Sequence, residues 1–217
     1  MIFYATKWNI PYLMKSMHNL FLLIVLSLFM VSCGSKASKK SLEGKYITNI
    51  KNNDLITADG KTYTLPVKDD GRVFYLIRHA EKDTTIQSSD PPLSPLGERR
   101  TMAIYDMFRG TDLDLVYSTM YVRTISTVQE IADQKGMNIK PYAPKDLRDV
   151  HSYIVDSTDA KRILIVGHSN TTPVLANFLS DTKYFNAAFD EKDYDNLLIV
   201  IDNGPEDKEL IPVKFKP

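Results

Sequence analysis

Val73-Phe74-Tyr75-Leu76-Ile77-Arg78-His79-Ala80-Glu81 is the stretch that decides how the rest of the chain is read. Five apolar residues follow one another without alternation, the pattern of a strand buried on both faces. Such a strand needs helices above and below it, and the downstream sequence supplies them. Ser94-Pro95 has the hydroxyl cap and first-turn proline of a helix start, and an apolar face of Leu96, Ala103, Ile104, Met107 and Phe108 runs on to Gly110. A strand over 113–117 leads into a helix over 122–134, with Ile125, Val128, Ile131 and Ala132 inward and Gly136 at its end. Ile163-Leu164-Ile165-Val166 is another fully apolar strand, followed by a helix over 172–179. Strands over 197–201 and 210–215, joined through Asn203-Gly204-Pro205, close the chain. The order predicts a three-layer α/β/α sandwich with a mostly parallel sheet and an antiparallel end.

Upstream, residues 42–72 read as a small antiparallel β appendage turning at Ala58-Asp59-Gly60-Lys61. Residues 20–31 form a twelve-residue apolar run, shorter than the roughly 20 residues that cross a bilayer as a helix. Lys15 and His18 precede the run and Ser32, Cys33 and Gly34 follow it, the layout of a secretory signal peptide over 1–32. Met14-Lys15 is the more natural start of that segment. Residues 34–41, rich in Ser, Lys and Gly, read as a flexible tether, so 33–41 is expected to be a modified cysteine and its spacer.

Composition narrows the function. The 217 residues carry 27 basic and 27 acidic side chains, and 43% are apolar, which excludes wholesale disorder. Loss of residues 1–32 removes two lysines and leaves a charge of −2, so nothing points to nucleic acid as a partner. Cys33 is the only cysteine, which excludes an internal disulfide and a cysteine-built zinc site.

Ligands of such sheets bind outside the carboxyl ends of the strands. Arg78, His79 and Glu81 follow the first buried strand. Ser118, Thr119 and Arg123 follow the second, and Gly167, His168, Ser169 and Asn170 the third. Two histidines and two arginines thus converge on one edge. Two arginines would repel a metal cation, whereas their planar forks match the oxygens of a tetrahedral dianion. They also disfavour imidazolium and so keep a histidine neutral and nucleophilic. A phosphorylated small molecule is the expected partner, with no metal or other cofactor.

Arg78-His79-Ala80-Glu81-Lys82 with Pro92-Leu93-Ser94-Pro95-Leu96-Gly97 resembles the opening of the histidine phosphatase superfamily, branch 1, the phosphoglycerate mutase-like fold. Val116-Tyr117-Ser118-Thr119 with Arg123-Thr124 and Thr127 resembles its second block, and Val166-Gly167-His168-Ser169-Asn170 its third. Tyr194-Asp195-Asn196-Leu197 is a weaker fourth. The resemblance implies a histidine phosphatase domain over 73–217 in which His79 becomes the phosphohistidine. Arg78, Arg123, His168 and Asn170 would hold the phosphoryl group. It also implies a general acid from a carboxylate in the loop after the second helix and the next strand, for which Asp149 in Leu147-Arg148-Asp149 is the candidate and Glu81 the rival. His151 reads as a surface residue.

Met30-Val31-Ser32-Cys33 resembles a bacterial lipobox, which implies lipidation of Cys33 and an envelope protein anchored to a membrane. The departures from pattern are informative. Ala80 stands where glycine is usual, as in many small phosphatase members. The mutase-type Asn shortly after His79 is missing, since 83–90 is a different loop, and Ser169 stands where the acid phosphatase and phytase branch carries aspartate, so neither glycolytic mutase nor phytase is supported. A metal-independent, anchored phosphomonoesterase is the expected function. A catalytically silent anion-binding lipoprotein and a phosphohistidine-protein phosphatase are the alternatives, and no protein partner is evident.

Overall fold

The computed structural model describes residues 35–156 and 159–216. Cys33 and the signal-like segment lie outside the described residues. Ten strands form one sheet: β1 (Ser35–Lys36), β2 (Tyr46–Lys51), β3 (Asp54–Thr57), β4 (Thr62–Thr64), β5 (Arg72–Arg78), β6 (Leu115–Ser118), β7 (Ile139–Pro141), β8 (Arg162–Gly167), β9 (Asn196–Asp202) and β10 (Lys208–Phe215). Their spatial order is β1-β4-β3-β2-β10-β9-β5-β8-β6-β7. β5, β8, β6 and β7 run parallel, while β9 pairs antiparallel with β5 and β10 antiparallel with β9. Among the described residues five helices connect them: α1 (Lys39–Leu42), α2 (Pro95–Phe108), α3 (Val122–Lys135), α4 (Leu147–Asp156) and α5 (Thr172–Leu179).

Strand alternation divides the core in two. Val73, Tyr75 and Ile77 of β5 pack on one side with Ile104, Met107 and Phe108 of α2 and Val128 and Ile131 of α3. Phe74 and Leu76 face the other side, with Val150 and Ile154 of α4 and Leu175, Ala176 and Leu179 of α5. Both faces of β5 are dry, which is why its sequence shows no alternation. Each such large side chain contributes roughly 1.5–3 kcal/mol on burial. The sandwich read from the sequence is the observed fold.

Three details differ from the expectation. β6 begins at Leu115 rather than at 113, because Leu113 turns back to bond the Thr111 carbonyl. Residues 142–156 contain α4, whose apolar positions Leu147, Val150 and Ile154 are spaced for a helix but stand behind Pro141 and Pro144. The expected tether is folded from Ser35 onward. β1 adds to the free edge of β4, Ala37 N–H donates to the Thr64 carbonyl at 2.8 Å, and Ala37 and Leu42 are buried. A polar composition does not prevent folding when a preformed edge offers backbone partners. Beyond it, β2, β3 and β4 form the expected antiparallel set, turning at Gly60, and β2 joins the main sheet by pairing parallel with β10.

Candidate active site

Strand β5 delivers its last residue, Arg78, and the next, His79, to the carboxyl edge of the sheet. His79 N–H donates to the Gly167 carbonyl at 3.0 Å, tying the end of β5 to that of β8. The following N–H, of Ala80, donates to Thr127 Oγ1 at 2.9 Å, and that hydroxyl donates to the Arg123 carbonyl. His79 therefore sits in a backbone fixed from β8 and α3 at once. Its Nδ1 lies 2.7 Å from the Ala80 carbonyl oxygen. A carbonyl only accepts, so Nδ1 carries the proton and Nε2 keeps its lone pair.

Across from it, the His168 ring stands edge-on to His79 at 5.4 Å between centroids. His168 Nε2 is 2.9 Å from Thr119 Oγ1, and its backbone N–H donates to Thr171 Oγ1. Gly167 before it has no room for a side chain: a Cβ would lie 2.6 Å from the Tyr142 hydroxyl and 2.8 Å from Thr171 Oγ1. Arg123, in the first turn of α3, stacks its guanidinium 4.4 Å from the Tyr121 ring centroid, and Tyr121 in turn packs on His168 at 5.1 Å. Asp90 serves two ends of this arrangement. Its carboxylate accepts from Arg123 Nη1 at 3.1 Å and from the Val122 N–H, which Tyr121 at the N-cap cannot cap.

Arg78 is buried and both its terminal nitrogens are engaged, while Nε has no partner among the described residues. Its Nη1 donates to the carbonyls of Asp190, Glu191 and Asp193, its Nη2 donates to Glu191 Oε2 at 2.9 Å, and the guanidinium lies 4.0 Å from the Tyr194 ring centroid. Tyr194 also packs on His79 at 6.0 Å. The 190–194 loop is thus clamped against the site by the residue preceding His79. Burial is the first cause that lowers both imidazoles, and the arginine charges add to it: His79 falls to about 3 and His168 to about 4. Both rings are neutral at physiological pH.

These side chains line a cavity of about 580 Å³, together with Ser169, Asn170, Lys82 and Lys145. Arg78, His79, Arg123, His168 and Asn170 meet there as expected from the sequence. Asp149 does not. It is exposed on α4 and faces a separate hollow beside Val174 and Phe178, because the segment read as a loop is a helix whose buried side is Val150 and Ile154. Glu81 is adjacent but turned away, held by three hydrogen bonds to Arg100 of α2. His151, on α4, is likewise not among the residues lining the cavity. The carboxylate that does line it is Glu191, which also accepts from Ser169 Oγ at 2.7 Å. Glu191, Asp90, Lys82 and Lys145 were missed as site residues. Lys82 ends the motif that begins at Arg78, and no local motif marks the other three. Among the described residues no group of His, Cys, Asp and Glu side chains is placed to hold a metal ion.

The model of the histidine phosphatase superfamily (branch 1) matches residues 74–152. No curated protein matches the chain. Among solved structures, the α-ribazole phosphatase from Shigella flexneri is 12% identical, with a TM-score of 0.54 over 65% of this chain and 96% of that one. The protein histidine phosphatase SixA complexed with tungstate is 15% identical, with a TM-score of 0.53 over 65% and 96%. The Rv3214 protein of Mycobacterium tuberculosis is 10% identical, with a TM-score of 0.51 over 67% and 98%. The fold is that of these solved structures, the phosphoglycerate mutase-like α/β/α sandwich.

Proposed function

We propose that this chain is a phosphomonoester hydrolase working through a phosphohistidine on His79. The observation that carries the reading is the neutral His79–His168 pair, 5.4 Å apart, with Arg78 and Arg123 beside it at the carboxyl ends of β5, β8 and β6. His79 Nε2 attacks phosphorus while the ester P–O bond breaks and its electron pair leaves on the alkoxide. Water then attacks phosphorus as the P–N bond breaks with its pair returning to Nε2; phosphate leaves, and the proton this water gives up balances the one the departing alkoxide takes from solvent. The guanidiniums and the His168 imidazole hold the equatorial oxygens, whose charge must be stabilised as the transition state forms. All four groups being present favours turnover over silent anion binding. Asp149 has no part in this reading, since it faces another hollow. Glu81 is assigned to structure, because its carboxylate is held by the three hydrogen bonds from Arg100.

Rapid quenching of the full-length protein during turnover of a phosphate ester tests the mechanism. An acid-labile, alkali-stable adduct on His79, absent with turnover in a folded His79→Ala variant, is expected. Activity that persists in His79→Ala overturns it. The export reading is part of the same proposal: the leader and Cys33 resemble a lipoprotein start, so the enzyme would act on the outer side of a membrane. A Cys33→Ala variant that fractionates and matures like wild type would remove that part.

A further inference from the structure

Two lysines on the cavity wall have no place in the phosphoryl-transfer chemistry. Lys82 follows His79 by three residues and is fixed by a backbone bridge to Leu93, while Lys145 stands on the loop between β7 and α4, after Pro144. They approach from different connections and line the same cavity. Neither has an ion-pair partner among the described residues. By contrast the two arginines of the site are each already balanced, Arg78 by Glu191 and Arg123 by Asp90. The charge left over in the cavity is therefore that of the two lysines.

The volume points the same way. About 580 Å³ is room for a drug-sized ligand, far more than a phosphoryl group occupies at the His79–His168 floor. The leaving group must fill the rest, and unpaired ammonium groups at its walls favour a leaving group with negative charge. We propose that Lys82 and Lys145 form a second anion subsite, so that the preferred substrate is a phosphate ester whose leaving group bears its own carboxylate or second phosphate. The phosphatase reading supplies only what lies on the floor; the subsite itself is a statement about binding.

The test uses a matched pair of non-hydrolysable probes, 4-carboxybenzylphosphonate and 4-carbamoylbenzylphosphonate, titrated calorimetrically into the full-length protein. They differ by one charge and little else. The carboxylate probe should bind about two- to fivefold more tightly, the scale of partly exposed charge pairs. That ratio should fall towards one in Lys82→Met/Lys145→Met, and part of the way in Lys145→Met alone, an exposed position that folding tolerates. Equal binding by the wild-type protein overturns the subsite, as does a ratio that survives in the double variant. Turnover of the corresponding aryl phosphates separates the two claims. A carboxylate preference in binding with no turnover of either ester keeps the subsite and removes the phosphatase; binding of neither phosphonate removes both.

Discussion

Glu81–Arg100 and Glu191–Arg78 are the same chemistry built in opposite surroundings on two sides of His79. In the first pair both side chains are shielded, 13% and 10% exposed, and three hydrogen bonds join them. Gly97 closes that corner: a Cβ there would lie 2.2 Å from the Glu81 carbonyl oxygen, so α2 packs directly on the Glu81 backbone, with Ser94 capping its start. In the second pair the guanidinium is 2% exposed but the carboxylate is 71% exposed. Water already solvates Glu191, so exchanging it for a phosphoryl oxygen on Arg78 costs little. Moving Glu81 would leave Arg100 buried and unpaired, with Nη1 already lacking an acceptor. Burial, not pairing, decides which carboxylate is structure and which is a replaceable occupant of the site.

The comparison is broken most directly at Glu81. Glu81→Gln should cost about 3 kcal/mol of stability, as the loss of one partner from a buried pair does, while the folded fraction retains turnover. Chemical denaturation beside an assay of the folded enzyme measures both; loss of activity without loss of stability would return Glu81 to catalysis.

Acid acts next, through the histidines beside both pairs. Unfolded histidines take a proton near 6.5, whereas folded His79 and His168 resist it down to about 3 and about 4. Between those values the unfolded state binds more protons, so stability should fall as pH drops from about 6.5 towards 4. Imidazole NMR signals of these two residues should not titrate between pH 8 and 5. Titration near 6.5 would show that the site is wetter than its geometry implies.

Glu191→Gln should have a smaller effect, of opposite sign for function. Stability should change by less than about 1 kcal/mol, the range of exposed pairs. Inorganic phosphate should bind about threefold more tightly, because no carboxylate competes for Arg78. Weaker phosphate binding would make Glu191 a helper rather than an occupant. Asp149→Asn should be smallest of all, under about twofold in kcat and KM even for alkyl phosphates, whose leaving groups most need a proton. A large loss on alkyl but not aryl esters would restore it as the acid.

What the sequence determined by itself is local. An unalternated run made β5 a buried strand, a serine and a proline started α2, and strand ends placed Arg78, His79, Arg123 and His168 on one edge, because backbone geometry and core burial depend on near neighbours and periodicity. The tertiary structure alone decided the carboxylates. Asp149 was judged by its place in a loop that is a helix, and Glu81 by closeness to His79 along the chain, when an arginine 19 positions on had already claimed it. Glu191, 113 positions from Arg78, carries no motif. A charge acquires its role from its partner and its distance from water, and both are set only when distant segments pack.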